Sequence, residues 1–286
     1  MSAGKGVLLK ATLSQCLPRR DQGNARCASA RAKLQFYAEF TQKQCIALGV
    51  EFVLKRIGPR RTRRWAEEMG CVTFKDVEGL HFKFHYNLYH NIRYLDPKSL
   101  ISSVPPTSAP EPAVEDQPPA GTVKSILPCT PLAVVKCLEH IGVYNKILPY
   151  GDRAYGKPSE VVGRPLAALL ANDGARVYSE YTKRPQQSSD AQRRFHPRHV
   201  VHPCTLSLQE CLALSDVVVS AVPSAEYKVK TAWLKDGCVC VNVAADKNFE
   251  ADVREKASMY MPTIGKVTIM MLLRNLCVCS LSYMLR

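Results

Sequence analysis

Apolar positions in "PCTPLAVVKCLEHIG" (128–142) recur three and four residues apart, at Leu132, Val135, Leu138 and Ile141. The spacing predicts an amphipathic helix with Thr130 as its N-cap and Pro131 at the first helical position. Downstream the period changes. "ARVYS" (175–179), "DVVVSAV" (216–222) and "CVCVNVA" (238–244) are short runs without apolar-polar alternation, as expected of strands covered on both faces of a parallel sheet. Helices are expected between them at "LSLQECLAL" (206–214) and "AEYKVKTAWLKDG" (225–237), so the order is strand, helix, strand, helix, strand. Upstream, "LQFYAEFTQKQCIALGV" (34–50) places Phe36, Phe40 and Ala47 on one side of a helix, and "VEFVLKRI" (50–57) follows as a strand. Both halves of the chain are therefore α/β.

Between these patterns lies "SVPPTSAPEPAVEDQPPAG" (103–121), which has no apolar period and cannot bury enough surface to offset its ordering entropy. It is expected to be a disordered insert, separating a first domain over 1–102 from a second over 122–286. In the second, "GKPSEVVGRPLAALLANDGARVYS" (156–179) has Gly163, Arg164 and Pro165 in a turn, then Leu166, Leu169 and Leu170 facing a sheet, then Gly174 ending the helix. Open parallel sheets bind nucleotides at the carboxyl ends of their strands, where a helix N-terminus meets the diphosphate. No GxGxxG is present, so the spacing alone leaves nucleotide binding and an ordinary βα turn both open. The final apolar run (267–285) has nearly membrane length, but Arg274 near its middle would cost roughly 2.5–3.5 kcal/mol in a bilayer. A buried core helix is expected instead.

Composition narrows the partners only a little. The 286 residues include 39 Lys and Arg against 25 Asp and Glu, a net charge of +14 that favours anionic ligands without choosing among them. "RIGPRRTRRWAEEMG" (56–70) fits either a localisation signal, a nucleic-acid patch or a solvated loop; no aromatic or glycine pattern of an RNA-binding module accompanies it, which disfavours nucleic acid. The twelve cysteines form no CxxC pair, so they are taken as reduced core thiols of an intracellular protein, with no metal centre. The N-terminus has no long apolar core of a secretory signal. Residues 1–36 carry seven Lys or Arg against one acid, so a mitochondrial presequence stands as the alternative to a cytoplasmic location.

Six pieces taken together, "KDVEGL" (75–80), "YNLYHNIRYLD" (86–96), "KSILPCTPLAVVK" (124–136), "SEVVGRPLAALLANDGARVYS" (159–179), "SDVVVSAVPSAEYK" (215–228) and "GKVTIMMLLRN" (265–275), resemble the methylenetetrahydrofolate dehydrogenase/cyclohydrolase family, and within it the monofunctional NAD-dependent branch of fungi. The resemblance implies an α/β protein of two domains: an N-terminal α/β folate domain and a C-terminal Rossmann-like parallel-sheet NAD domain, the last helix packing back on the first domain. It implies hydride transfer from the methylene carbon bridging N5 and N10 of tetrahydrofolate to C4 of nicotinamide. The cation left behind is shared by two nitrogens, so no proton has to be removed, and the protein's share is alignment and electrostatics. Tyr37 matches the pterin-stacking tyrosine, and Asp76 and Glu78 match the acidic pair that accepts from the pterin's N–H groups; Tyr37 and Asp76 are thereby assigned to the catalytic centre, and Pro262 to the substrate side. Thr130, Val162, Gly163, Arg164, Pro165, Ala245 and Thr268 match positions lining NAD, and Glu180, just after "ARVYS", is the candidate carboxylate for the ribose 2′-OH.

Bifunctional members carry a lysine four residues after the stacking tyrosine; the position here is Thr41, whose neutral hydroxyl cannot serve as that acid/base group, so cyclohydrolase activity is expected to be absent. The family also has an apolar strand between its "GK" and "SE", where this chain runs "GKPSEVV". That strand is expected to be missing, with "PSEVV" (158–162) its minimal substitute. The implied partners are tetrahydrofolate derivatives, polyglutamylated forms included, with no membrane and with a homodimer as one allowed assembly. Two alternatives stay open: an inactive folate- or nucleotide-binding remnant of the family, and a basic nucleic-acid-binding protein.

Overall fold

Five parallel strands form the main sheet of the computed structural model, which describes residues 10–16, 35, 38–47, 49, 51–57, 76–96, 119–143, 153–156, 161–179 and 204–284. The chain divides into two compact units, Met1–Thr73 and Phe74–Arg286. In the first, β1 (Lys10–Cys16) and β2 (Glu51–Ile57) pair in parallel, Lys10 opposite Glu51 and Cys16 opposite Ile57. A helix over 38–47, α1, lies on the connection between them, as parallel strands require. Its buried stripe runs through Ala38, Thr41 and Cys45. The face expected from the sequence is thus rotated: Phe40 is half-buried, Ala47 is exposed, and Phe36 lies outside the described residues.

The second unit begins with α2 (Phe82–Tyr89), followed by β3 (Tyr94–Leu95), which pairs antiparallel with β4 (Val123–Lys124). Then come α3 (Cys129–His140), β5 (Arg153–Gly156), α4 (Gly163–Asn172), β6 (Arg176–Ser179), α5 (Leu208–Leu214), β7 (Val217–Ser220), β8 (Val239–Asn242), β9 (Met259–Met261) and α6 (Gly265–Met284). Across the main sheet the order is β6-β5-β7-β8-β9. The first strand of this set in sequence therefore sits between the second and third, the doubly wound arrangement whose connections leave that strand in opposite directions. The fold class is α/β, as expected.

The strand expected to be missing is present, but not where its substitute was sought. "RAYG" at 153–156 fills the place, Arg153 to Gly156 opposite Arg176 to Ser179 on one side and Ala154 to Gly156 opposite Val217 to Val219 on the other. Val161 and Val162 of "PSEVV" form the turn ahead of α4. Four residues with one aromatic and no β-branched side chain carry little strand propensity, so pairing on both edges decides their conformation.

Two further expectations change. The segment 225–237 is not a helix: Val229 bridges Phe249, its N–H donating to Asn248 O at 2.7 Å, and Thr231–Trp233 is a single 3₁₀ turn. Glu250 accepts from Thr231 N at 2.7 Å and Asp252 from the Thr231 hydroxyl at 2.6 Å, and these carboxylates fix the extended path against any helical periodicity. Both proline-bearing helices also start earlier than expected. The N-cap of α3 is Pro128, so Thr130 and Pro131 are its second and third residues; α4 is capped at Val162, which makes Pro165 its third. Proline is tolerated there because the first-turn N–H groups have no intrahelical acceptor. The helix at 206–214 has the best start, a capping box in which Ser207 Oγ accepts from Glu210 N and Glu210 Oε2 accepts from Ser207 N.

One cluster packs Ala133, Val134, Val135 and Leu138 of α3 against Leu166, Leu169 and Leu170 of α4 and Val217, Val219, Val239 and Val241 of the sheet. The opposite sheet face carries Val218, Cys240, Leu212, Phe249 and Val253. Each such fully buried aliphatic side chain stabilises by on the order of 1.5–3 kcal/mol, and the clusters hold the carboxyl ends of β7 and β8 rigid. A third cluster, Phe84, Leu95, Ile126 and Cys279, joins α2 and β3 to α6. Residues 76–96, placed by the sequence in the first domain, pack within the second unit, and α6 touches them there. No helix among the described residues is long and apolar enough to cross a membrane. Of the insert at 103–121, all but 119–121 lies outside the described residues.

Candidate active site

Three separated motifs meet in the second unit. The "KDVEG" loop turns at Gly79, whose φ is +74° and whose position would set an added Cβ 2.8 Å from the Leu127 carbonyl and Pro128 nitrogen. Only glycine suits both the left-handed backbone and this approach. Cys129 N, at the start of α3, donates to Glu78 O at 3.1 Å. From α6, the fully buried Asn275 donates through Nδ2 to Val77 O at 2.9 Å and to Leu127 O at 2.8 Å. The loop, the "LPCTP" helix start and the "LLRN" turn of α6 thus interlock.

The two acids of the loop do different work. Asp76 builds it: Oδ1 accepts from Gly79 N at 3.1 Å and Oδ2 from His81 N at 2.6 Å. Glu78 is sunk beside α3, where burial first and the Asp76 charge second hold its carboxyl above the usual glutamate range. Burial, and then the Glu78 charge, push the Cys129 thiol up to about 12. Burial and the Asp76 charge do the same for Cys279, also up to about 12. Two acids and two protonated thiols line the meeting point, and a carboxyl that has lost water in this way is suited to accept from N–H donors of a flat ligand.

The carboxyl ends of β5 and β7 form the switch point of the sheet, and α4 starts a few residues after β5. Val162, Gly163 and Arg164 are half-buried at that start and Pro165 is buried. Beyond β8, Ala245 is exposed in the loop that follows, and Pro262 is exposed after β9. Thr268 is buried in the first turn of α6, its hydroxyl donating to Ile264 O at 3.2 Å, so its proton is spent within the helix while its oxygen can still accept. Thr130 is half-buried in the first turn of α3. Tyr37 and Glu180 lie outside the described residues, and Thr41 is buried on α1 in the other unit. Asp76, Glu78 and the neighbourhood of Thr130 are therefore brought together, whereas the switch-point residues form a separate group.

The chain pattern did not reveal a buried amide network at these strand ends. Asn248 Oδ1 accepts from Ser220 Oγ and from Val222 N, both at 3.0 Å, and its Nδ2 donates to Val222 O at 2.9 Å and Ser224 O at 3.3 Å. Asn242 Oδ1 accepts from Asn248 N, while its Nδ2 faces the carbonyls of Ala244, Asp246 and Pro262 at 2.9, 3.1 and 3.2 Å. Two neutral amides therefore shape the loops after β7 and β8 and seat Pro262 beside them. A polar residue closing a Val-rich run, "CVCVN", was the available signal. The thiols are partly as expected: Cys45, Cys129, Cys211, Cys238, Cys240 and Cys279 are buried, but Cys204 and Cys277 are exposed.

No family model matches the chain. It is 47% identical over 212 residues to the methylenetetrahydrofolate dehydrogenase [NAD(+)] of Saccharomyces cerevisiae, covering 71% of this chain and 59% of that protein. It is 34% identical over 272 residues to the protein of the same name from Dictyostelium discoideum, covering 84% of this chain and 79% of that one. The chain thus spans less than two thirds of the length of the yeast relatives it matches, 59% and 58% in budding and fission yeast. Among solved structures, the NAD-dependent 5,10-methylenetetrahydrofolate dehydrogenase of Saccharomyces cerevisiae superposes with a TM-score of 0.69 at 36% identity, over 94% of this chain and 86% of that one. The bifunctional FolD of Campylobacter jejuni superposes at 0.62 with 18% identity, over 96% and 89%, a likeness of fold alone.

Proposed function

Because this chain belongs to the methylenetetrahydrofolate dehydrogenase/cyclohydrolase family, we propose that it oxidises 5,10-methylenetetrahydrofolate to 5,10-methenyltetrahydrofolate by direct hydride transfer to NAD, without cyclohydrolase activity. The observation that carries this reading is the interlock of the Glu78 loop, the α3 start and α6 within one compact unit that also holds a five-stranded doubly wound sheet.

The residues present fit a dinucleotide. The start of α4 offers the positive end of a helix dipole and the Arg164 cation after a glycine, and the loops past β7 and β8 are held by amides that introduce no negative charge. Val162, Gly163, Arg164 and Ala245 would hold NAD, which when bound supplies the hydride acceptor. Glu78 binds the reduced pterin: its carboxylate accepts from the ring and amino N–H groups, which replace the water it lost on burial. Asp76 orients the loop through its two backbone bonds, and so holds Glu78 in its seat. No side chain has to move a proton, which suits a site whose thiols are held protonated. Thr41 does not serve as an acid/base group either, since a hydroxyl of high pKa stays neutral and cannot replace an ammonium.

Purified protein mixed with NAD and 5,10-methylenetetrahydrofolate is expected to generate the absorbance of reduced nicotinamide, and methenyltetrahydrofolate is expected to hydrolyse no faster with the protein than without it. Ligand binding with no turnover would identify an inactive remnant, and hydrolysis above the spontaneous rate would remove the role given to Thr41.

A further inference from the structure

Asn275 uses its whole amide. Both Nδ2 hydrogens are committed to carbonyls, on residues 198 and 148 positions away in the chain. Oδ1 accepts from Arg274 Nη1 at 2.9 Å, so the side chain cannot turn over without setting its oxygen against two carbonyl oxygens. The guanidinium polarises the amide and strengthens both donations. The two carbonyls it holds belong to Val77, immediately before Glu78, and to Leu127, two residues before Cys129.

We propose that Asn275, seated by Arg274, is a positioning residue for the folate side: it keeps the 76–79 loop in register with the start of α3, and so sets affinity for the reduced pterin without touching it. This rests on the folate function given above. The reasoning is one of leverage. Gly79 already presses on the Leu127–Pro128 peptide, and Cys129 N already holds Glu78 O, so the loop has one seat, and Asn275 closes it from the far side. Take the amide away and two buried carbonyls lose their donors; the loop then lifts toward water, which hydrates Glu78 and uncovers Cys129.

The full-length chain is compared as wild type, Asn275→Leu and Asn275→Asp, each first checked for a wild-type circular dichroism spectrum. In Asn275→Leu the KM for methylenetetrahydrofolate is expected to rise tenfold or more while that for NAD stays within twofold, and alkylation of native Cys129 by iodoacetamide, read by peptide mass mapping, is expected to rise at least tenfold. In Asn275→Asp the folate KM defect should shrink as pH falls, because the protonated acid regains one donor. Equal rises in both KM values mark a general loosening and overturn the proposal, as do wild-type KM values with Cys129 still protected. If Asn275→Leu does not fold, Arg274→Gln must show the same split in milder form, and unchanged folate KM there overturns it as well. Should the wild type take up no reduced folate, the functional reading fails separately, and the alkylation comparison still decides whether Asn275 holds the loop.

Discussion

Gly79 is the residue on which the loop geometry turns. A methyl group there meets backbone rather than a movable side chain, and the left-handed φ adds its own penalty, so Gly79→Ala is expected to cost about 2–4 kcal/mol, measured as a shift in denaturant midpoint at unchanged slope. Glu78 makes stability depend on pH. Its folded-state pKa lies above its unfolded one, so its contribution is fully present below the unfolded value and is lost as pH rises through the folded value. The thermal midpoint of the wild type should therefore fall relative to that of Glu78→Gln as pH is raised from the ordinary glutamate range; parallel curves would show that its surroundings do not shift the carboxyl. At this scale the sequence put Asp76 and Glu78 together in one loop, but it could not divide their labour, because the two backbone donors that claim Asp76 come from the turn. Asn242, Asn248 and Asn275 were invisible for a related reason: a single amide has no period, and its value lies in carbonyls far away in the chain.

Among elements, β7 and β8 were legible because burial on both faces demands unbroken apolar runs, and "VVVS" and "VCVN" supply them. β5 was not, since Arg, Ala, Tyr and Gly carry no such run and the strand exists through its neighbours. The segment 225–237 misled in the opposite sense: a helix-like spacing is overridden by Glu250 and Asp252, which hold Thr231 in place. If β5 is what joins the two halves of the sheet, Tyr155→Pro, which removes a ladder donor from a strand paired on both sides, should abolish cooperative unfolding of the sheet, seen as loss of the thermal transition; a normal transition would mean that β5 is dispensable.

At the scale of the molecule, the three core clusters found among the described residues have their buried members within 84–279, inside the second unit. A fragment spanning 74–286 is accordingly expected to show a single cooperative melt by itself; a gradual, non-cooperative curve would mean that residues before 74 complete its core. The sheet order also dictates a timetable. Val217 meets Val239 and Val239 meets Met259 over short stretches of chain, whereas Ala154 must find Val217 across everything between α4 and α5. Closing the longer loop costs more entropy before any contact repays it, so β7-β8-β9 and the local β5-β6 pair can each zip early and the two groups join late, β5 against β7. A protein built this way passes through a moment when the edge of β7 stands open, and during synthesis that edge is the surface a chaperone would need to shield.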